Sequence, residues 1–112
     1  MKLNTEIKGD VAIVRIDGDH LDASTHAKFV QQLKPVTDQY SKIIFDIGSL
    51  EFIDSSGIGV ILGTMRRARA TGGDVKLACP TEAVTSIFNL VRMSRLINIV
   101  PTIDEAVAGF GQ

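Results

Sequence analysis

The sequence predicts an α/β fold, a mixed β-sheet opened by a β-hairpin with about four α-helices packed against it. Three observations carry that reading. Leu3, Thr5 and Ile7 alternate with Asn4, Glu6 and Lys8, the period-two pattern of a half-buried strand, and a second strand-like run returns after Gly9-Asp10. From residue 42 onward, short apolar runs alternate with stretches of helical spacing, an order that favours parallel pairing through right-handed crossovers. The 112 residues are 45% hydrophobic, enough for one modest core, so residues 1–112 read as a single domain.

Element by element, Gly9 tolerates the positive φ of a tight reversal, and residues 11–16 return as the second strand, closed by Asp17-Gly18. Asp22 or Ser24 can cap the first helix by accepting from its free N–H groups. Phe29, Val30, Leu33, Val36 and Tyr40 recur at helical spacing along it. Pro35 lacks an N–H and crowds the carbonyl four residues back, so a kink or break is expected there. Residues 42–47 form an apolar run read as a central strand buried on both faces. Ile58, Ile61, Leu62 and Met65 give the stripe of a second helix, which Thr71-Gly72-Gly73 ends through a residue able to turn left-handed. Residues 75–79 make the next strand. Pro80-Thr81-Glu82 opens a third helix with Val84, Ile87, Phe88 and Val91 on its apolar side. Residues 98–100 form a last strand, and Thr102-Ile103-Asp104-Glu105 has the spacing of a capping box before a final helix.

Composition excludes several classes of function. A net charge of −1 with mixed signs argues against a nucleic-acid partner. The Arg66, Arg67 and Arg69 cluster reads as the solvated side of a helix. Cys79 is the one cysteine, which removes disulfide and cysteine-metal frameworks, and its setting between Leu77-Ala78 and Pro80 reads as a buried strand end. His20 and His26 are the two histidines and form no ligand-spaced pair, so neither a metal nor a cofactor is expected. No apolar run reaches the roughly 18 residues that cross a bilayer, and Met1-Lys2-Leu3 leads straight into a strand. A cytoplasmic protein with no membrane partner is expected.

The chemistry-bearing stretch is Phe52-Ile53-Asp54-Ser55-Ser56-Gly57-Ile58-Gly59, at a strand-to-helix junction where such folds collect functional residues. Either Asp54 or Ser55 can be the helix N-cap. One cap would suffice, yet three candidates stand in a row. Gly57, Gly59 and Gly63 each cost up to ~1 kcal/mol of helix propensity relative to Ala, which suggests close approach by another backbone or molecule. A nucleophilic Ser55 would need His20 or His26 as base, with Asp22 or Asp46 to orient it. The nucleophile-elbow pattern fails because Ile53 stands where its first glycine belongs. A Walker-type loop fails for want of a lysine after the glycines. Phosphorylation of Asp46 would need an early acidic pair, for which Asp17 and Asp19 are poor substitutes, and a late lysine, which Cys79-Pro80 lacks. Serine phosphorylation fits better. A helix N-terminus is exposed to a kinase and its dipole tolerates phosphate, while the added charge of about −1.5 to −2 spoils the surface for an apolar or acidic partner.

These residues resemble the STAS domain of the anti-sigma-factor antagonist family over nearly the whole chain. The resemblance rests on Gly18-Asp19-His20-Leu21-Asp22-Ala23, on residues 43–46, and above all on Asp54-Ser55-Ser56-Gly57-Ile58-Gly59-Val60. It implies the STAS fold and partner switching. The serine after the motif's aspartate, here Ser55, is phosphorylated in that family, with Asp54, Ser56 and Gly57 flanking it. The unmodified antagonist binds a GHKL-type serine kinase that also serves as an anti-sigma factor, is phosphorylated and released, and is restored by a metal-dependent serine phosphatase. It is a substrate and ligand rather than an enzyme. A monomer when free is the simpler expectation for this chain, and not one that the resemblance supplies. Its partner surface would include Asp19, His20, Leu21, Asp22, Ile58 and Gly59. Two departures stand out: His20 lengthens the first loop, and Leu90-Val91-Arg92-Met93 places Arg92 where members often have a turn glycine. The alternative is a STAS-type scaffold or adaptor without a phosphorylation cycle, in which Ser55 is a helix cap.

Overall fold

The computed structural model describes residues 1–111. Five strands form the main sheet in the order β1 (Lys2–Lys8), β2 (Val11–Asp17), β4 (Lys42–Asp46), β6 (Asp74–Ala78) and β7 (Asn98–Val100). β1 pairs antiparallel with β2 and every later pair is parallel, the mixed sheet that a hairpin followed by crossovers must produce. The helices are α1 (His26–Thr37), α2 (Ser55–Ala70), α3 (Glu82–Leu90) and α4 (Ile103–Gly109).

The central strand β4 explains the layering. Ile43 and Phe45 point into the larger core with Leu33 of α1, Ile61 of α2 and Phe88 of α3, while Ile44 points into a smaller one closed by Ala106 of α4. Alternate residues of one strand therefore serve opposite layers, as the pleat requires. Phe29 of α1 meets Phe45 with ring centroids 5.8 Å apart, within the range of a favourable tilted aromatic pair. At the outer edge the Gln32 amide accepts from the Leu3 N–H and donates to the Met1 carbonyl. It thereby occupies backbone groups that an edge strand would otherwise leave open.

Several sequence expectations hold at the level of single bonds. The second helix ends in a Schellman motif: the Gly73 N–H reaches the Ala68 carbonyl and the Gly72 N–H the Arg69 carbonyl, with Gly72 at φ 85°. A side chain at Gly73 would collide with the Ser41 carbonyl, so the helix can be followed at once by β6. Thr81 and Thr102 cap α3 and α4, accepting from the Val84 and Glu105 N–H groups.

Others need correction. Neither Asp22 nor Ser24 caps α1; the N-cap is Thr25, whose side chain makes no cap bond. Asp22 instead closes its own turn, its Oδ1 accepting from the Ser24 N–H and hydroxyl. Pro35 neither kinks the chain into two segments nor ends the helix, because it sits in the last turn, where its missing N–H forgoes one bond. Cys79 lies just past β6, half-buried rather than buried, in a left-handed conformation with φ 62°. Burial, with Asp46 nearby, raises its thiol pKa. Arg92 does take the left-handed turn, at φ 54° and ψ 44°, ahead of a short 3-10 turn, Met93–Arg95. Two short strands have no counterpart in the sequence reading, β3 (His20–Leu21) and β5 (Phe52–Ile53), which pair parallel apart from the main sheet.

Candidate functional site

The β3–β5 pair builds the site. It sets the loop after β2 beside the start of α2 and delivers the chain from Ile53 into Asp54. The Glu51 and Phe52 N–H groups donate to the Asp19 carbonyl at 2.8 and 3.1 Å, and the Asp54 N–H to the Leu21 carbonyl at 3.2 Å. Leu21 is fully buried in the main core. That corrects its place on the expected partner surface: an apolar side chain sealed beneath the loop positions the loop and cannot face a partner.

Asp54 is the N-cap of α2, which settles the choice between it and Ser55. Its backbone is extended (φ −108°, ψ −173°), and its Oδ1 accepts from the Ser56 N–H at 2.9 Å, the Gly57 N–H at 3.1 Å and the Ser56 hydroxyl at 2.8 Å. Oδ2 accepts from the Ala23 N–H at 3.2 Å, so one carboxylate ties the loop to the helix. These donors, the Gly57 N–H first and the Ser56 hydroxyl next, hold the Asp54 pKa below the ordinary carboxylate range. The Ser24 hydroxyl does the same for Asp22, and the His20 ring for Asp19.

The three motif candidates therefore divide by role. Asp54 caps. The half-buried Ser56 spends its hydroxyl on Asp54. Ser55, the first residue of α2, is exposed, and its hydroxyl makes no hydrogen bond among the described residues. The first-turn N–H groups at which a phosphate would be tolerated are mostly engaged. Those of Ser56 and Gly57 are already taken by Asp54, and that of Ile58 by the Asp54 carbonyl.

The glycines also divide. A Cβ at Gly57 would lie 2.5 Å from the Leu21 carbonyl oxygen and 2.8 Å from Ile53 Cγ1, whereas one at Gly59 would meet nothing within 4 Å. Close backbone approach, inferred from Gly57, Gly59 and Gly63, applies to Gly57 alone of the three; a Cβ at Gly63 would meet only the Arg67 side chain, at 3.5 Å. Around this junction Asp19 and His20 are exposed and joined by a 2.6 Å contact between Asp19 Oδ1 and His20 Nδ1; Asp22 and Ile58 are half-buried; Gly59 is exposed. Sequence reasoning missed Ala23, whose contribution is a backbone N–H with no side-chain signature. It also did not foresee that Phe52 is exposed. Neither histidine hydrogen-bonds Ser55, and no three metal-ligating side chains converge among the described residues.

Fold and site together define a small α/β domain that presents one unengaged hydroxyl at a helix N-terminus, beside a loop pinned to it by a carboxylate. The STAS domain model matches residues 2–106, and the chain belongs to the STAS domain family. The anti-sigma F factor antagonist of Paenibacillus polymyxa is 30% identical over 109 residues, 96% of this chain and 90% of that one. Two Thermotoga proteins, from T. neapolitana and T. maritima, are 32% and 34% identical over 68 residues, so this chain spans only 60% of the length of each. Among solved structures, TM1081 of Thermotoga maritima superposes with a TM-score of 0.88 at 26% identity, covering 98% of this chain and 95% of that one. The anti-sigma factor antagonist SpoIIAA in its unphosphorylated form superposes at 0.76 with 25% identity, covering 95% and 93%. The fold alone does not assign a role: at 17% identity and a TM-score of 0.76 it also occurs within the murine anion transporter Slc26a9, of which this chain covers 18%.

Proposed function

We propose that this protein is an anti-sigma-factor antagonist that works by partner switching in the cytoplasm, as a monomer when free. In its unmodified form the junction binds a GHKL-type serine kinase that doubles as an anti-sigma factor. The kinase phosphorylates Ser55 and releases the antagonist, and a metal-dependent serine phosphatase returns it to the competent state. The chain is substrate and ligand in this cycle, not the catalyst.

The observation that carries the reading is the division of labour at the junction. Of two adjacent hydroxyls, Ser56 is committed to Asp54 and Ser55 is exposed and unengaged. Because Asp54 already occupies the neighbouring N–H groups, a phosphate on Ser55 would project its charge outward rather than rearrange the helix. The switch is then a change in surface potential between exposed Phe52 and Gly59, with half-buried Ile58 beside them. An added charge of about −1.5 to −2 next to ionised Asp54 repels an acidic partner and must be desolvated by an apolar one. SpoIIAA, similar in fold, is described in both unphosphorylated and phosphorylated forms, which agrees with such a cycle.

The test uses wild type and Ser55→Asp as baits in the native host, with ATP or ADP present and intact mass recorded on recovered protein. Wild type should retain a kinase that Ser55→Asp binds at least tenfold more weakly, about 1.4 kcal/mol, and should gain one phosphate on Ser55. Identical partners for both baits, with no phosphate, refute the cycle. In the scaffold alternative Ser55 serves as the helix cap; that cap is Asp54, so a scaffold reading has to stand on Ser55→Ala leaving partner binding intact.

A further inference from the structure

A second feature of α2 lies away from the Ser55 junction and is independent of the function proposed above. Between α1 and α2 runs a cleft of about 470 Å³, within the range of roughly 300–1,000 Å³ typical of small-molecule sites. Its floor is apolar: Leu33 from α1, Ile43 from β4, and Val60 and Ala68 from α2, with half-exposed Val30 on the rim. The charged groups that line it are Lys34, Asp38 and Arg67. Lys34 Nζ sits 3.0 and 3.1 Å from the two Asp38 carboxylate oxygens, so that pair cancels. Arg67 has no carboxylate partner among the described residues, and the cleft carries one uncompensated positive charge.

Arg67 is also placed. Its Nη2 lies 3.5 Å from the hydroxyl of Thr64, and its Nη1 would stand 3.5 Å from a Cβ at Gly63. The guanidinium therefore folds back along the helix, over a glycine that has no other neighbour to make room for. Thr64 is 1% exposed, and its hydroxyl proton is given to the Val60 carbonyl at 2.8 Å. Its oxygen can then only accept, which suits the Arg67 donor and leaves Thr64 nothing to donate to a ligand. A guanidinium offers five N–H donors in a planar fork matched to a carboxylate, and at most one is used here.

We propose that this cleft binds a small amphipathic monocarboxylate, its hydrocarbon on the Leu33–Ile43–Val60–Ala68 floor and its carboxylate on Arg67, with Thr64 positioning the guanidinium. A single net positive charge beside an apolar trough fits one carboxylate better than a polyanion such as a phosphate ester.

The test follows backbone amide NMR shifts of the full chain during titration with octanoate, 1-octanol, acetate or inorganic phosphate. Octanoate should shift amides of residues 30–43 and 60–71 and bind at least tenfold more tightly than 1-octanol or acetate, with phosphate inert. Arg67→Gln should lose about tenfold for octanoate, the effect of one charge-assisted contact, and leave 1-octanol unchanged. Val30→Asp, at an exposed rim position safe for folding, should also weaken octanoate. Equal affinity for octanoate and 1-octanol, retention of octanoate by Arg67→Gln, tighter binding of phosphate, or no shifts in these segments would each overturn the proposal.

Discussion

Two glycines two residues apart on α2 should respond to the same substitution with opposite sign. At Gly59 an added methyl meets nothing within 4 Å, so Gly59→Ala recovers helix propensity and should stabilise the fold by about 0.5–1 kcal/mol. At Gly57 the new Cβ would stand 2.5 Å from the Leu21 carbonyl oxygen, 2.8 Å from Ile53 Cγ1 and 2.9 Å from Leu21 Cγ. The closest of these is backbone, so the conflict cannot be relieved by turning a side chain. Moving that carbonyl loosens its bond from the Asp54 N–H and, with it, the bond from the Ala23 N–H to Asp54. Overpacking of this kind costs about 1–3 kcal/mol, from which up to ~1 kcal/mol of propensity is recovered. The net destabilisation of Gly57→Ala is about 1–2 kcal/mol. Urea unfolding, with a slope of about 2 kcal/mol per molar, should place its midpoint roughly 0.5–1 M below wild type and that of Gly59→Ala above it. If Gly57→Ala proves as stable as wild type, the close packing of α2 on β3 is wrong, and with it the mechanism that aims the site loop.

Three further outcomes follow from the same structure. The Asp54 carboxylate is bonded only in the fold, which lowers its pKa from the ordinary 3.8; its contribution is complete above that pH and disappears as pH falls through the folded value. Asp54→Asn should thus show a shallower loss of stability below about pH 4 than wild type in acid unfolding curves; Asp10, Asp19 and Asp22, also lowered, keep part of the slope. Thr81→Val removes both the α3 cap and the hydroxyl bond to the Leu50 carbonyl, and should cost about 1–2 kcal/mol in chemical denaturation. Arg92→Gly relieves a left-handed residue worth ~1–2 kcal/mol of strain at an entropic cost of ~0.5–1 kcal/mol, so its melting temperature should rise.

The elements that carry a full period were legible without coordinates. The strand at residues 2–8 was legible from its alternation, although its apolar face is not buried as expected: Leu3 alone is half-buried and Ile7 is exposed. The apolar stripes of α1 to α3 were legible because burying one face of a helix imposes a spacing on the residues that form it, with Val30 and Val91 exposed as exceptions. Thr102 was legible as a cap, and Pro80-Thr81-Glu82 as a helix start, for the same reason: each cap bond spans only three residues. The reading failed where the partner is remote in sequence. His20-Leu21 and Phe52-Ile53 are too short for any period, and they become strands only because each meets the other. Leu21 resembled a surface loop residue until the core closed over it.

The candidate site divides along the same line. The order of residues 54–65 by itself determined that this chain offers a serine at the start of a helix, since Asp-Ser-Ser ahead of the apolar stripe Ile58, Ile61, Leu62 and Met65 is a helix N-terminus in its own right. Tertiary structure decided which serine is open. Oδ1 of Asp54 takes the Ser56 hydroxyl and two N–H groups, while its Oδ2 is held by Ala23, 31 residues earlier in the chain. The cleft beside Arg67 was equally invisible, because Lys34 and Asp38 cancel within one helix while Arg67 stands on another. A net charge at a site is a sum over neighbours in space, and only the fold supplies them.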